Sequence, residues 1–566
     1  MAAWNLIVLK FGGSVLRSAA DLPAVADEIY RHLRDGKRVL AVVSAFQGHT
    51  DELLRTARAR FGDDAPTATA CFAVTGEQQS AALLAGCLVR SGVSARVMEP
   101  REIGLSVHGS TMQAEPHSID RDAVFGAFER QSVLVVPGFY GINRDGQVSL
   151  LGRGGSDYSA LFLAHRLGAE CRLIKDVAGV FDRDPALTGP GALRFSAVTW
   201  DATLNAAGAL VQPRALQFAQ LHRFGFSLGA LSSTTATQVG PGPTTIGETP
   251  DIQPPLRIVL LGLGTVGGGV YSRLSEQPER FDIQRIVVRD PDKHRPIDVP
   301  ARLLSTDLWE AVNLPADLII ECIGGVSPAG NVVLHALRGG CPVVTANKAM
   351  VARYWESLSR YTQETPRLRF SAAVGGALPV LETLSKHAGR VRRLRGVING
   401  TCTFVLDAMR NGADFDAAIE AARRAGFAES DPTLDTSGTD AAEKLALMVR
   451  VGFGVDLPSD AIPTRGIAAR DAVAKVQLVA CAVREQDTIR ARVGPEELNE
   501  RDYLAGSREA QNRVEIELDD GHMLRLEGKG AGRWPTAISV CGDVMDVWRD
   551  KLAELTRTRQ RPGVSA

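Results

Sequence analysis

The sequence lacks the cysteine pairs, the long apolar runs and the charge imbalance that identify several classes of protein. Its eight cysteines are scattered, with no C-x-x-C pair, so neither a zinc site nor a disulfide framework is indicated. No apolar run is long enough to span a bilayer, and a formal net charge of -1 gives no electrostatic basis for binding nucleic acid or a membrane surface. The first residues have no signal-peptide layout. We therefore expect a cytoplasmic protein with reduced thiols.

Alternating strand-like and helix-like runs indicate an α/β protein with several domains. At 566 residues the chain is too long for one hydrophobic core. Proline and glycine are concentrated at residues 240–255, which fits a linker. We predict a first domain over 1–247, a linker over 248–255, a Rossmann dinucleotide-binding domain over 256–346, an α+β catalytic domain over 347–550 that returns to the Rossmann domain near its end, and a tail over 551–566.

The most informative motif, G-x-G-x-x-G, lies in the middle of the chain. An apolar run at 256–261 leads into Gly262, Gly264 and Gly267, and Thr265 and Val266 open a helix-like segment. The first glycine makes the tight turn, the second lets the backbone approach a pyrophosphate, and the third lets the helix pack close to the strand. A second strand-like run follows at βαβ distance, so the pattern favours a dinucleotide site over a structural turn.

The end of that second run bears on the choice of cofactor. Arg289 would suit the 2′-phosphate of NADP, whereas Asp290 would suit the ribose hydroxyl of NAD. Both are present, so the sequence favours NADP without excluding NAD.

Polar residues follow several later strand-like runs. Asn347 and Lys348 end one of them. Further on, Asp440 and Lys444 are four residues apart and so share a helix face, a spacing that by itself favours a surface ion pair. Ser437 with Asp440 has the spacing of a capping box.

Six blocks in this half resemble homoserine dehydrogenases. They are GLGTVG (262–267), TANKA (345–349), AAVGGALPV (372–380), NGTCTF (399–404), GFAESDPTLDTSGTDAAEKL (426–445) and GKGAGRWPTA (528–537). The resemblance implies reversible, nicotinamide-dependent reduction of aspartate 4-semialdehyde to homoserine. It implies two catalytic lysines, a cofactor-binding asparagine and three acidic substrate-binding residues, namely Lys348 and Lys444, Asn347, and Glu429, Asp435 and Asp440. A lysine ammonium can stabilise and protonate a developing alkoxide, so the chemistry agrees.

The same resemblance implies a monovalent cation held mostly by backbone carbonyls. Its ligands would be Val374, Gly376 and Leu378. Ser371 stands where the family often has a glutamate, which is a departure at this site.

Glycine-rich turns with charged residues also occur in the first half. One follows the first strand-like run, and glycine amides with one lysine can cradle a phosphate. Another leads into a helix-like run, where anions bind. The candidate residues are Lys10, Gly12 and Gly13 in the first turn, Arg153 and Asp157 in the second, Glu77 at another helix start, and Asp176 after a strand.

These motifs resemble the amino-acid kinase family, and aspartokinase in particular. The blocks are KFGGS, VVSA with TDELL, TGEQQSA, PGFYG, LGRGGSDYSA and KDVAGVFDRDP, in family order. The resemblance implies phosphorylation of aspartate's β-carboxylate by Mg-ATP. It places Lys10 at the transferring phosphate, Glu77 and Arg153 on aspartate with Asp157 beside them, and Asp176 in the nucleotide loop.

This half departs from the family pattern near the ATP. The usual D-P-R reads Asp184-Pro185-Ala186, the motif resembling K-V-L-H-P reads ALVQP (209–213), and Lys175 replaces a threonine. Two basic residues are therefore missing, and Arg183, Lys175 or Arg214 are candidates to substitute for them.

Together the resemblances predict a fusion of aspartokinase with homoserine dehydrogenase that lacks ACT regulatory domains, since only the linker separates the halves. We expect small-molecule substrates and a homo-oligomer. One alternative is a working dehydrogenase fused to a degenerate kinase domain that serves regulation or oligomerisation. Another is a nucleotide sensor with two inactive sites, against which the two intact dehydrogenase lysines argue.

Overall fold

The fold is described from a computed structural model, which covers residues 5–184, 187, 192–205, 210–233, 235–247, 254–362, 366–428, 431–472, 475–486, 488–508 and 510–560, with side chains to 553. The chain divides into two compact units, one of residues 1–89 with 94–252 and the other of residues 90–93 with 253–566. Residues 248–253 of the predicted linker lie outside the described residues. Within the described part, no helix has the length and apolar character needed to cross a membrane. All eight cysteines lie in the described part of the chain, and none of them forms a disulfide.

The first unit contains a nine-stranded sheet and a smaller four-stranded sheet. Its strands are β1 (Leu6–Phe11), β2 (Arg38–Val43), β3 (Ala95–Val97), β4 (Ser106–Ser110), β5 (Gln113–Ser118), β6 (Val133–Pro137), β7 (Tyr140–Ile142), β8 (Val148–Leu150), β9 (Glu170–Lys175), β10 (Phe195–Val198), β11 (Phe226–Ala230), β12 (Thr237–Val239) and β13 (Thr245–Ile246). Its helices are α1 (Leu22–Arg34), α2 (His49–Phe61), α3 (Pro66–Ala73), α4 (Thr75–Arg90), α5 (Arg121–Phe128), α6 (Gly155–Leu167), α7 (Trp200–Asn205) and α8 (Pro213–Leu221).

The large sheet has the strand order β13-β10-β12-β11-β9-β1-β2-β6-β3. β1 lies in its middle and pairs in parallel with β2 and with β9. Every residue of β1 and β2 is buried, as expected for parallel strands covered on both faces. In α1 the residues Val25, Ile29 and Leu33 recur every four positions and are buried, so one face of the helix packs inward. The carboxyl ends of β1 and β9 consequently lie side by side.

The second unit combines a parallel sheet with an antiparallel one. Its strands are β14 (Leu256–Leu261), β15 (Phe281–Val287), β16 (Leu304–Ser305), β17 (Leu318–Glu321), β18 (Val343–Thr345), β19 (Leu368–Arg369), β20 (Val391–Val397), β21 (Val476–Glu485), β22 (Thr488–Glu497), β23 (Gln511–Leu518) and β24 (Met523–Lys529). Its helices are α9 (Thr265–Leu274), α10 (Leu308–Val312), α11 (Ala329–Arg338), α12 (Lys348–Arg353), α13 (Trp355–Leu358), α14 (Val380–Lys386), α15 (Gly400–Arg410), α16 (Phe415–Arg424), α17 (Thr433–Thr436), α18 (Thr439–Phe453) and α19 (Arg533–Gln560).

The parallel sheet has the order β16-β15-β14-β17-β18-β19. Numbered from its own first strand this is 3-2-1-4-5-6, the Rossmann order, and the strand order reverses between β14 and β17. The predicted α/β class with a Rossmann sheet is therefore confirmed. The sheet continues to Arg369 through the pairing of β19 with β18, beyond residue 346 where the sequence ended the domain. Helix α19 packs on it through Ala537 and Val540 and runs past residue 550.

The antiparallel sheet has the order β22-β21-β20-β23-β24. Along β23, buried and half-buried residues alternate strictly, because successive side chains of a strand point to opposite faces. Its buried face shares one core with α15, α16 and α18. This core includes the buried face of α18 and so positions the polar residues in the first turn of that helix.

Candidate active sites

The reversal point of the Rossmann sheet carries the glycine turn. Gly262 has φ +97°, and a Cβ there would lie 2.6 Å from the Cys322 carbonyl oxygen. A Cβ on Gly267 would lie 2.0 Å from the Gly262 carbonyl oxygen, whereas a Cβ on Gly264 would meet nothing within 4 Å. The first and third glycines are thus required by the fold, and the second borders open space at the start of α9. That arrangement fits a pyrophosphate at a helix N-terminus, with Thr265 and Val266 in the first turn of the helix.

A fully buried carboxylate, Glu321, ends β17 beside this turn. Its Oε1 accepts hydrogen bonds from the backbone N–H groups of Ile323 (2.9 Å) and Gly324 (3.1 Å), and its Oε2 accepts one from Thr345 Oγ1 at 2.6 Å. Asn347 Nδ2 donates to the Gly325 carbonyl oxygen at 2.6 Å. The Glu321 network therefore joins the loop after β17 to the loop after β18. The sequence offered one signal for it, a charged residue at the end of an apolar strand.

Lys348 and Lys444, the two predicted catalytic lysines, meet on one carboxylate. Asn347 Oδ1 caps α12 by accepting from the Met350 N–H at 3.0 Å, which places Lys348 at the first position of that helix. Lys348 Nζ lies 2.8 Å from Asp440 Oδ1, and Lys444 Nζ lies 2.6 Å from Asp440 Oδ2. The pair that spacing alone would leave on the surface is thus largely buried.

The charges of this cluster shift the acidity of its members. Burial disfavours the ionised form of Asp440, but the ammonium groups of Lys444 and Lys348 outweigh it and hold the pKa of Asp440 well below its ordinary value. Burial alone would lower the pKa of Lys348, yet carboxylates of Asp440 and Glu443 raise it above the ordinary lysine value. Lys348 is therefore an ammonium at neutral pH.

Asn399 connects the cluster to the predicted substrate residues. Its Nδ2 donates to Asp435 Oδ1 at 2.7 Å and to Asp440 Oδ2 at 2.9 Å, while its Oδ1 caps α15 by accepting from the Cys402 N–H at 2.8 Å. Asp435 and Asp440 are thus brought together. Glu429 lies outside the described residues.

The capping box predicted for Ser437 and Asp440 is wrong. Gly438, with φ +84°, occupies the N-cap of α18 and no side chain caps the helix. The Asp440 carboxylate instead contacts Lys348, Lys444 and Asn399. Two cationic partners attract this carboxylate more strongly than a backbone N–H would.

The loop after β15 contains the residues that bear on cofactor choice. Arg289 is exposed. The Asp290 Oδ1 atom accepts a hydrogen bond from the Asp292 N–H at 2.9 Å, and the Asp290 carbonyl oxygen accepts one from Arg295 Nη2 at 2.6 Å. Asp290 is exposed as well, and one oxygen of its carboxylate is thus engaged in its own turn.

The turn predicted to hold a cation is buried in the second unit. Val374 and Leu378 are fully buried, and Gly376, with φ +55°, packs against the backbone of Lys529 and Gly530. Hard cations bind backbone carbonyl oxygens as ligands. In this structure the Leu378 carbonyl oxygen also accepts a hydrogen bond from the Val380 N–H at 2.8 Å.

Ser371, which stands where the family often has a glutamate, contacts the carboxylate of Asp543. Its N–H and Oγ donate to Asp543 Oδ2 at 3.0 Å and to Oδ1 at 2.8 Å. A carboxylate is thus present beside this turn, supplied by α19.

In the first unit, Lys10 and Asp157 also come together, and Lys175 joins them. Asp157, in the first turn of α6, lies 2.6 Å from Lys10 Nζ through Oδ1 and 2.9 Å from Lys175 Nζ through Oδ2. All three side chains are buried. Burial opposes ionisation of Asp157, but Lys10 and Lys175 lower its pKa to about 2. A Cβ on Gly12 would lie 2.8 Å from Lys10 Nζ, so the glycine leaves the space that the ammonium group fills.

The three candidate substitutes for the missing basic residues have different positions. Lys175 faces Asp157. Arg183 pairs with Asp182, and Arg214 donates to the Leu151 carbonyl oxygen at 2.9 Å. Lys175 is therefore the substitute that reaches the Lys10 cluster. Residues 186 and 209 lie outside the described residues.

Glu77, near the start of α4, is almost fully buried. Desolvation raises its pKa to about 7, against the opposing effects of a hydrogen bond from Thr50 Oγ1 and the charge of Lys10. Gly13 lies beside the Gln47 backbone, and Arg153 and Asp176 are exposed. A carboxyl group of this kind ionises readily when a cation binds to it.

Comparisons with known proteins match both units. The model of the amino acid kinase family matches residues 5–223, that of the homoserine dehydrogenase NAD-binding domain matches 262–369, and that of homoserine dehydrogenase matches 379–545. The homoserine dehydrogenase of a Synechocystis strain is 33% identical over 316 residues, covering 52% of this chain and 73% of that protein. That of Corynebacterium glutamicum is 35% identical over 322 residues, covering 52% and 72%. A solved homoserine dehydrogenase from Thiobacillus denitrificans is 35% identical, covers 53% of this chain and 74% of that one, and has a TM-score of 0.49.

The glycine turn yields a prediction that separates folding from cofactor binding. Gly267→Ala places a methyl group against the Gly262 carbonyl, and overpacking of this kind costs about 1–3 kcal/mol, so the thermal midpoint of the variant should fall. Gly264→Ala meets no atom and should keep the midpoint, but should weaken binding of the nicotinamide dinucleotide about tenfold because its methyl obstructs the pyrophosphate. Calorimetric melting and titration of NAD and NADP measure the two effects. Normal affinity for both dinucleotides in Gly264→Ala would show that the pyrophosphate lies elsewhere.

Proposed function

This chain belongs to the homoserine dehydrogenase family, and from that premise we propose that Lys348 and Lys444 carry the proton chemistry by which its second unit interconverts aspartate 4-semialdehyde and homoserine. The observation that supports this assignment most directly is the contact of both ammonium groups with Asp440. The Glu321 network ties the residue before Lys348 to the loop beside the glycine turn, so the lysine cluster adjoins the dinucleotide crevice.

The charge state of the cluster suits an aldehyde reduction. NADP, when bound in the glycine turn, supplies or accepts the hydride. The aldehyde oxygen gains negative charge as the hydride arrives, and a lysine ammonium beside it stabilises the alkoxide and gives it a proton. In the opposite direction a neutral lysine takes the hydroxyl proton. Asp440 holds both ammonium groups in place and offsets one of their two positive charges.

For the amino-acid end of the substrate we propose Glu429 and Asp435 as partners of the α-ammonium group, with Asp440 completing the pocket wall. Asn399 fixes Asp435 relative to Asp440. For the monovalent cation we propose the carbonyl oxygens of the turn at Val374, Gly376 and Leu378. The eight cysteines, none of which forms a disulfide, fit a reducing compartment, and we propose a cytoplasmic location.

The lysines can be tested singly. Lys348→Met and Lys444→Met should each lower kcat for homoserine oxidation by about 10²–10⁴-fold, since a positioned acid–base group is lost. NADP affinity should stay unchanged, because neither lysine lies in the glycine turn. Lys551→Met, which removes a lysine that pairs with Asp317, is the control and should retain activity. Either active-site variant with near-normal turnover would refute its assignment.

We propose NADP as the preferred cofactor on the strength of the exposed Arg289 and the engaged Asp290. Arg289→Ala should weaken NADP binding about 10–100-fold, as expected for loss of a charge-assisted hydrogen bond, and should leave NAD binding unchanged. Arg285→Ala, which removes a neighbouring arginine paired with Glu310, is the control. Equal loss for both cofactors, measured by fluorescence titration, would contradict a contact with the 2′-phosphate.

For the first unit we propose aspartate kinase activity. The supporting observation is the buried Lys10–Asp157–Lys175 cluster, which carries a net positive charge where phosphoryl transfer needs one. Lys175 would replace the basic residues missing from the nucleotide loop. Glu77 and the exposed Arg153 would bind the ammonium and carboxylate groups of aspartate, Asp176 and the turn of Gly12 and Gly13 would contact ATP, and Mg²⁺ would enter bound to the ATP phosphates.

A hydroxamate assay with aspartate and Mg-ATP tests this proposal. The wild-type protein should form product, and Lys175→Met should raise the KM for Mg-ATP about 10–100-fold while changing that for aspartate little. Lys37→Met, whose lysine pairs with Glu170 instead, should behave as wild type. If wild-type protein binds ATP in calorimetry yet forms no product, the degenerate regulatory domain becomes the better description of this unit.

A further inference from the structure

Glu443 contacts the same ammonium group as Asp440 does, and neither the motifs nor the chemistry described so far gives it a role. Its Oε2 atom forms an ion pair with Lys348 Nζ. It lies three residues after Asp440 on α18, so both carboxylates project from one face of the helix. Lys348, from α12, lies between them.

The ion pairs form an unbroken series from solvent into the cluster. Glu443 contacts Lys348, Lys348 contacts Asp440, and Asp440 contacts Lys444. The side chains become steadily less exposed in that order, at 34%, 20%, 17% and 14%. Glu443 is therefore the end of the series that faces water, and Lys444, bonded to the Ile398 carbonyl oxygen at 3.0 Å, is the inner end.

We propose that Glu443 is a positioning residue that clamps the Lys348 ammonium against Asp440, keeps it charged, and sets the pH range in which Lys348 can exchange a proton with the substrate. The inference rests on the proposed role of Lys348 in the dehydrogenase reaction. Asp440 alone must compensate two ammonium groups. A second carboxylate brings the cluster to two negative and two positive charges, so Lys348 no longer competes with Lys444 for one partner.

The groups that act on Lys348 come from few elements. On α18 they are Asp440 and Glu443, and both raise the pKa of Lys348 against the effect of its burial. Lys444 bonds to the opposite oxygen of Asp440. Asp435 reaches this cluster through the neutral amide of Asn399. Within the described residues, Glu443 is thus the one carboxylate that contacts Lys348 without also contacting Lys444.

The proton balance fixes the direction of the effect. Reduction of the aldehyde consumes one hydride and one proton, and Lys348 must start as an ammonium. Oxidation of homoserine releases both, and Lys348 must start neutral. Loss of the Glu443 charge makes the Lys348 ammonium more acidic. The pH dependence of kcat should therefore move to lower pH both for reduction of the aldehyde and for oxidation of homoserine.

The test compares the wild-type protein with Glu443→Gln, Glu443→Asp and Glu420→Gln, in the full-length chain. Glu443→Gln keeps the size of the side chain and removes its charge, and Glu443→Asp keeps the charge. Glu420→Gln, on α16 in an exposed pair with Arg423, controls for loss of a surface carboxylate. The first readout is the pH titration of the Lys348 side-chain resonance in lysine-labelled protein, assigned with Lys348→Arg. The second is the pH profile of kcat in both directions.

We expect Glu443→Gln to lower the titration midpoint of Lys348 by about one pH unit or more and to move both kcat limbs equally, with the KM for NADPH unchanged. Glu443→Asp should retain most of the wild-type midpoint, and Glu420→Gln all of it. An unchanged Lys348 midpoint in Glu443→Gln would overturn the inference. A shifted midpoint with unmoved kcat limbs would uphold the clamp and refute Lys348 as the proton carrier. Absence of homoserine oxidation in the wild-type protein would refute the proposed function, while the resonance titration would still decide the clamp.

Discussion

The second unit depends on a carboxylate that two lysines share. Taking Asp440 out of water is costly unless its charge is compensated, and the compensation comes from elements far apart in sequence. Lys348 follows the fifth strand of the parallel sheet, and Lys444 lies on the helix that the antiparallel sheet supports. The stability of the buried charge therefore requires the Rossmann sheet and the antiparallel sheet, each with its helices, to come together at this point. The proton chemistry that we propose and the packing of the two sheets thus depend on the same three side chains.

The first unit solves a related problem in the same way. Asp157, in the first turn of α6, forms ion pairs with Lys10 near the end of β1 and with Lys175 at the end of the neighbouring strand β9. In the reactions that we propose, both clusters hold ammonium groups where negative charge would develop, on an alkoxide in one case and on a transferring phosphoryl group in the other. Fixing the cations in advance avoids the cost of reorganising them during the reaction. The two folds are unrelated in topology, so the likeness lies in the electrostatics and not in the architecture.

Much of this could be predicted from local sequence. The buried runs of β1, β2 and β14, the glycine turn and the helix of Asp157 follow from periodicity and turn chemistry. The contacts that distinguish the sites could not be predicted so. Lys348 and Asp440 are 92 residues apart. No local pattern indicates that the Asp440 carboxylate will bind two lysines and not a backbone N–H at the start of its own helix. Lys175 is one of three candidate replacements in the sequence, and only the pairing of β9 with β1 distinguishes it from Arg183 and Arg214. Glu321 and Glu443 gain their importance entirely from neighbours supplied by other elements.

The Glu321 network makes two loops of the dinucleotide crevice rigid relative to each other. This carboxylate holds the loop at residues 323–324 through two backbone N–H groups and holds the next strand end through Thr345 and Asn347. Asn347 also caps α12 by accepting from the Met350 N–H, so the same network sets where the helix that carries Lys348 begins. A buried polar group is costly to leave without its partners. The loop after β17, the end of β18 and the first turn of α12 are therefore held together by one fully buried side chain, and a substitution at Glu321 would loosen all three at once.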